Sequence, residues 1–168
     1  MRKIILSVLL LTILVVSFFS NYFLKDNPIP AEVVKFDTGD TAWMIVATAL
    51  VLIMTPGLGF FYGGMVGKKN VISTMLQSFM AMVIVTLLWV IIAFGLSFGP
   101  TIGGLIGNPL PYLFFQGVGT NTAWSMAPTI PFMLFALFQA KFAIITPALI
   151  TGAFAERIRF WAYLLFMV

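Results

Sequence analysis

The sequence predicts an all-α integral membrane protein, and both its composition and three long apolar stretches lead to this fold class. Of the 168 residues, 61% are hydrophobic and 8% are charged. Water-soluble domains carry about 25% charged residues, so this composition lies far outside that class. Each apolar stretch is longer than the ~20 residues that a helix needs to cross the hydrocarbon core of a bilayer.

The first forty residues precede these stretches. Two basic residues start the chain and the apolar run 4–19 follows, as in a secretory signal. A cut after Ser20 would place Phe18 where cleavage favours a small residue, so residues 1–20 are predicted to be a signal peptide or an uncleaved signal anchor. The segment 21–40 contains two prolines and four of the five acidic residues, which indicates a solvated external linker.

Membrane spans are predicted at about 41–67, 71–98 and 128–154, and a further apolar segment covers 160–168. At a rise of 1.5 Å per residue this last segment reaches about 14 Å, whereas the hydrocarbon core is about 30 Å thick. We therefore expect the chain to be the N-terminal fragment of a longer protein.

The distribution of lysine and arginine predicts the orientation of these spans. Basic pairs lie in the short segments 68–70 and 155–159, and the long loop 99–127 has none. Because basic residues favour the cytoplasmic side, both short segments are predicted to be cytoplasmic. The segments 21–41 and 99–127 are then external. The long loop is rich in glycine and proline, and we expect it to fold over the outer face as short helices or a lip.

The absence of histidine and cysteine excludes most familiar chemistry. There is no imidazole base, thiolate nucleophile, disulfide framework, or ordinary zinc or haem site, and we predict no cofactor. No basic cluster is present to bind nucleic acid. A membrane enzyme would need a nucleophile beside a base, and the only option is a serine paired with Lys141. No serine lies one turn from Lys141, so the sequence does not favour an enzyme.

The first span combines a proline with a series of glycines. Pro56 removes one backbone hydrogen bond and should bend the helix. Three glycines at intervals of four residues would let another helix approach closely: Gly59, Gly63 and Gly67. Tight helix packing explains these glycines, but Phe61 and Tyr62 are bulky residues beside a groove of small ones.

The third span carries a pair of phenylalanines and a charge. Phe138 and Phe142 are four residues apart, so they lie on one helix face, where two rings can close a narrow path. Ordinary packing is the competing explanation, since the chain has 18 phenylalanines. Lys141 lies near the bilayer centre, where an ammonium group costs ~2.5–3.5 kcal/mol. We expect it to face a helix interface or polar pocket, away from any substrate path.

These motifs, taken together, resemble the ammonium transporter (Amt/Mep/Rh) family over residues 40–168. The similarity is carried by four blocks: Pro56-Gly57 with Tyr62-Gly63-Gly64, Lys69-Asn70-Val71, Phe94 to Gly99, and Phe138-Gln139 with Gly152 to Phe160. The resemblance implies that residues 41–168 are the N-terminal part of an eleven-helix subunit built from two inverted halves. It also implies a homotrimer in the plasma membrane, with one pore in each subunit.

The resemblance implies a function as well. Such a subunit recruits ammonium outside and conducts ammonia, with separate proton transfer, through an apolar pore. By position, Phe138 and Phe142 match the gate of this pore. Four further residues match positions that line it: Leu58, Phe61, Tyr62 and Leu149. The twin histidines of the family belong to helices beyond this chain.

The resemblance also leaves alternatives open. An ammonium sensor or a non-transporting membrane scaffold of the same fold would share these motifs. The expected partners are ammonium or ammonia, the lipid bilayer, two further copies of the subunit, and a PII-type regulatory protein that would bind cytoplasmic parts absent from this chain.

Overall fold

The computed structural model describes residues 35–168, and this part of the chain is mostly helical. The expected signal peptide or anchor, 1–20, and residues 21–34 of the expected linker lie outside the described residues. The elements follow in this order: α1 (Thr38–Met65), α2 (Val71–Leu88), a π-helical segment (Trp89–Ala93), α3 (Phe94–Phe98), β1 (Thr101–Ile102), β2 (Ile106–Gly107), a 3-10 segment (Leu110–Phe115), α4 (Phe132–Phe154) and α5 (Phe160–Phe166). By length and composition, three described helical stretches can cross a membrane: α1, Val71–Phe98 and α4.

Local chemistry determines where α1 and α4 begin. Asp37 caps α1, because its carboxylate accepts a hydrogen bond from the backbone N–H of Asp40 at 2.8 Å. The helix therefore starts at Thr38, slightly before the range expected from hydropathy. α4 starts at Phe132, whereas the sequence placed its start near residue 128. Pro131 directly precedes the helix, and a residue before a proline avoids helical geometry, so the helix cannot extend further towards the N-terminus.

Small residues let α1, α2 and α4 approach one another closely. A side chain at Gly59 would come within 3.4 Å of Ser78, and one at Gly63 within 3.0 Å of Met75. The buried side of α4 also includes four small side chains: Ala136, Ala140, Ala148 and Thr151. Interfaces of this kind hold membrane helices together by van der Waals packing.

The loop after the second span contains one short helix, the 3-10 segment, as expected from its sequence, and also a β-hairpin that was not expected. β1 and β2 are antiparallel, with Thr101 opposite Gly107 and Ile102 opposite Ile106. The backbone N–H of Asp37 donates to the carbonyl of Thr129 at 2.9 Å, so the start of α1 lies at this same end of the bundle. We call it the hairpin end.

An aromatic cluster fills the hairpin end. Phe94 lies at its centre and is fully buried, at 0% exposure. The centroids of five other rings lie 5.3–5.8 Å from the centroid of Phe94: Trp89, Phe98, Tyr112, Phe115 and Phe132. Burial in this cluster raises the pKa of the Tyr112 phenol. We refer to these six residues as the Phe94 cluster.

The hairpin packs against α3 at a point where only glycine fits. A side chain at Gly95 would place its first carbon 2.7 Å from the carbonyl oxygen of Pro109, and backbone cannot move aside as a flexible side chain does. We expect Gly95→Ala to destabilise the protein by about 1–3 kcal/mol, the range for overpacking a filled interior. Thermal unfolding of the purified protein in detergent measures the effect.

Gly57→Ala is the matched control, because no atom lies within 4 Å of a side chain at Gly57. This substitution should leave stability unchanged or raise it, since alanine is favoured over glycine inside a helix by about 0.5–1 kcal/mol. Equal unfolding temperatures for the two variants would contradict the packing described for Gly95.

Candidate functional site

The two phenylalanines expected to form a gate contact each other on α4. The ring centroids of Phe138 and Phe142 are 5.1 Å apart, and the ring planes meet at 74°. This edge-to-face arrangement is one of the favoured geometries for aromatic pairs. Phe138 is half-buried, and Phe142 is 43% exposed. The pair therefore borders an open face of the bundle.

The tyrosine of α1 connects that helix to α4. The Tyr62 hydroxyl donates a hydrogen bond to the backbone carbonyl of Leu149 at 3.0 Å. Its ring passes over Gly152, where a side chain would place its first carbon 2.5 Å from the ring. Phe61 packs against the tyrosine edge to face, with centroids 5.3 Å apart. The absence of a side chain at Gly152 is thus what lets Tyr62 reach the backbone of α4.

The six residues expected to line a path lie on two neighbouring helices. Leu58 is half-buried one turn before Tyr62, and Phe61 is 60% exposed on α1. On α4, Leu149 follows Phe142 by seven residues and is 49% exposed, so it continues the same face. The structure brings together two groups, Phe138 with Phe142 and Phe61 with Tyr62 and Leu149.

Pro147 lies on α4 between the ring pair and Gly152. A proline has no N–H, so the carbonyl of Ala143 lacks its usual helical donor. The carbonyl of Pro147 itself accepts hydrogen bonds from the hydroxyls of Thr151, at 3.1 Å, and Tyr163, at 3.3 Å. These contacts hold the helix after the proline against α5.

Lys141 is half-buried beside the ring pair. It has no hydrogen-bond or ion-pair partner within residues 35–168. At 3.6 residues per turn, its position on the helix is about 60° from that of Phe138 and about 100° from that of Phe142. The expectation that its ammonium group faces away from a substrate path stays a prediction.

Glu156, to which the sequence analysis assigned no role, connects two loops at the end of the bundle opposite the hairpin end. Glu156 Oε1 accepts hydrogen bonds from the backbone N–H of Gly67 at 2.7 Å and from Asn70 Nδ2 at 3.0 Å. Glu156 has a positive φ of 64°, which turns the chain after α4 towards the α1–α2 connection. We call this contact the Glu156 latch.

The hydrogen bonds of the Glu156 latch shift the pKa of its carboxylate. The hydrogen bonds from Asn70 and from the backbone of Gly67 lower the pKa of Glu156.

Beside the latch is a cleft of about 230 Å³, lined by Tyr62, Met65, Val66, Gly152, Ala155 and Glu156. The sequence singles out Glu156 as the one acidic residue outside the segment 21–40, but it does not indicate the partners of the carboxylate.

No set of three or more histidine, cysteine, aspartate or glutamate side chains lies close enough to hold a metal ion within residues 35–168. The described site consists of aromatic and aliphatic side chains, the Tyr62 hydroxyl, the Lys141 amine beside the ring pair, and the Glu156 carboxylate with its Asn70 partner. Its chemistry is that of an apolar surface with polar groups at one end.

Comparison with known families assigns the chain. A sequence model described as the Ammonium Transporter Family matches residues 42–168. The chain belongs to the ammonium transporter family. It is 48% identical over 130 residues to an ammonium transporter of Bacillus subtilis, covering 77% of this chain and 31% of that protein. It is 44% identical over 140 residues to an ammonium transporter of Aquifex aeolicus, covering 82% of this chain and 32% of that protein.

Solved structures of ammonium transporter family proteins share the fold. The crystal structure of Candida albicans Mep2 matches with a TM-score of 0.67 and 31% identity, over 79% of this chain and 29% of that one. Saccharomyces cerevisiae Mep2 matches with a TM-score of 0.66 and 32% identity, over the same shares of the two chains. The predicted family and the predicted helical membrane fold are both confirmed. The chain spans about 30% of the length of these relatives.

The Glu156 latch should depend on pH with a defined sign. A carboxylate with a lowered folded pKa stabilises the folded contact above its unfolded pKa, and this contribution is lost as pH falls through the folded pKa. We expect a nitroxide spin label at Lys68 to be restrained at neutral pH and to become mobile in acid below the ordinary glutamate range. Electron paramagnetic resonance line shapes measure this mobility, and the chain has no native cysteine to interfere.

Glu156→Gln should make the label mobile at neutral pH, because the amide accepts weaker hydrogen bonds than the carboxylate. Asp40→Asn is the matched control, since it removes a carboxylate at the other end of α1. A label that stays restrained in Glu156→Gln at all pH values would contradict the latch.

Proposed function

We propose that this chain forms part of an ammonium transporter subunit that recruits ammonium outside and conducts ammonia through an apolar pore, with separate proton transfer. The observation that carries the proposal is the edge-to-face pair of Phe138 and Phe142 at the border of an open face of α4. Family membership supports the substrate, because the similar proteins are named ammonium transporters. In this proposal the protein moves its substrate without chemical conversion and is not an enzyme.

The placement of the carboxylates in the described chain favours passage of a neutral molecule. Within residues 35–168 the carboxylates are Asp37, Asp40 and Glu156, and all three lie near the ends of helices. A cation channel instead lines its filter with carboxylates or carbonyl groups. An intact ion in a dry apolar passage costs on the order of tens of kcal/mol by Born solvation, whereas a neutral amine avoids this penalty. A passage closed by two rings would therefore exclude potassium.

The proposed path continues from the ring pair along α4 towards the Glu156 latch. Leu149 extends the face of Phe142, and Leu58, Phe61 and Tyr62 border it from α1. The hydrogen bond from Tyr62 to the carbonyl of Leu149 supports this arrangement, because it joins the two proposed walls.

We propose a plasma-membrane homotrimer, with the hairpin end outside and the segments 68–70 and 155–159 in the cytoplasm. The absence of basic residues from 99–127 supports this orientation. A cysteine at Asn108 should then react with an impermeant external thiol reagent in intact cells, and one at Lys68 should not. Regulation by a PII-type protein would require segments outside this chain.

Transport should be measured in a chimaera in which residues 42–168 replace the matching segment of the Bacillus subtilis ammonium transporter. We expect the chimaera to restore ammonium-limited growth of a transporter-deficient strain. The 168-residue chain expressed alone should not restore it, because the chain spans about 30% of its relatives. A chimaera that reaches the membrane and takes up no ammonium would favour the alternatives of a sensor or a scaffold.

Within the chimaera, Phe142→Ala should open a space that water enters. Water lowers the cost of passing an intact ion, so potassium should compete with ammonium uptake more strongly than in the parent. Phe142→Leu keeps an apolar plug and should have the smaller effect. Phe60→Ala is the matched control, since Phe60 is 65% exposed on α1 and outside the proposed path. Parental uptake and potassium competition in all three variants would contradict the gate.

A further inference from the structure

We propose that Trp89 is a positioning residue for the ring pair, acting through a hydrogen bond from its indole N–H to the backbone carbonyl of Ala136. The inference rests on the proposed function, because it concerns the selectivity of the path beside Phe138 and Phe142. Trp89 lies on the second span and contacts neither of these rings.

The π-helical segment brings Trp89 to face α4. The backbone N–H of Phe94 donates to the carbonyl of Trp89, five residues earlier, where an α-helix would use a partner four residues earlier. On a regular helix, residues five apart point about 140° away from each other. Here Trp89 and Phe94 are both buried, at 6% and 0% exposure, and their rings are 5.8 Å apart. The inserted residue therefore lets both side chains pack against the same neighbouring helix, α4.

The hydrogen bond fixes Trp89 to one position on α4. Indole Nε1 lies 3.1 Å from the carbonyl oxygen of Ala136, and the contact is buried. Ala136 is 0% exposed and has the small side chain that such a close approach requires. An indole N–H left unpaired in this interior would be costly, so the bond strongly favours one height and rotation of α4 relative to the second span.

Aromatic contacts fasten the start of α4 to the same span. Phe94 packs against Phe132 with centroids 5.6 Å apart, and Phe98 packs against Phe135 with centroids 5.2 Å apart. These ring contacts bury apolar surface, and they would persist through small rotations of α4. The directional contact is the indole hydrogen bond at Ala136.

The ring pair directly follows this attachment. Phe138 is two residues after Ala136, and Phe142 is five residues before Pro147, where the helix loses a backbone hydrogen bond. The pair thus occupies the segment of α4 between a directional anchor and the point where the helix lacks a backbone hydrogen bond. Without the anchor, the segment would rotate more freely and the two rings would close the path less completely.

The test replaces Trp89 in the chimaera with 3-benzothienylalanine, which keeps the shape of the side chain and exchanges the indole N–H for sulfur. We expect normal expression, an unfolding temperature near that of the parent, and weaker selectivity. One neutral hydrogen bond shifts an equilibrium about two- to tenfold, so potassium should inhibit ammonium uptake at concentrations about two- to tenfold lower than in the parent. Trp89→Phe should shift potassium inhibition in the same direction.

Two controls separate positioning from a structural role. The same analogue at Trp43, which is 69% exposed on α1, should leave potassium inhibition at the parental value. Phe115→Leu should lower the unfolding temperature by weakening the Phe94 cluster and leave potassium inhibition unchanged, because the ring of Phe115 packs on Phe94, with centroids 5.5 Å apart, and not on a ring of α4.

Parental potassium inhibition in the analogue at position 89 would overturn the positioning role while leaving the proposed function intact. A lower unfolding temperature without a change in inhibition would overturn it too, since Trp89 would then be structural only. A parent chimaera that carries no ammonium would overturn the proposed function, and the positioning role with it.

Discussion

The close approach of α4 to α1 and α2 is the constraint on which the rest of the described structure depends. In a bilayer the lipid chains are as apolar as the side chains, so helices are not driven together by the hydrophobic effect. Contact has to come from close packing, and here small residues provide it. Ala136, Ala140 and Ala148 on α4 are at most 2% exposed. Substituting large side chains there would separate the three helices.

The position of α4 in turn determines what each of its faces does. Because the alanines face inward, Phe142 and Leu149 fall on an open face, and the half-buried Phe138 lies at its border. The missing side chain at Gly152 lets Tyr62 reach the carbonyl of Leu149, and Glu156 then meets Gly67 just beyond the end of the helix. One packing arrangement thus places the ring pair, the tyrosine bridge and the latch in order along a single helix.

The parts of this arrangement that depend on composition and short spacings were predictable from the sequence. Apolar length indicates the three spans, the spacing of Gly59 and Gly63 indicates close helix contact, and the spacing of Phe138 and Phe142 indicates a shared face. The π-helical segment was not predictable, because an inserted residue leaves hydropathy unchanged. The hydrogen bond of Trp89 and the Glu156 latch join residues far apart in sequence, and only the tertiary fold reveals such pairs.

The central claim is that the ring-bearing face of α4 borders the substrate path, and cysteine accessibility in the chimaera tests it most directly. Single cysteines at Phe138 and Phe142 should react with a small aminoethyl thiosulfonate reagent, and ammonium should slow the reaction. Cysteines at Leu137 and Ile150, which lie on other faces of the same helix and are 38% and 37% exposed, should react slowly and show no effect of ammonium. Equal reactivity at all four positions, or protection by ammonium only at Leu137 and Ile150, would contradict the account.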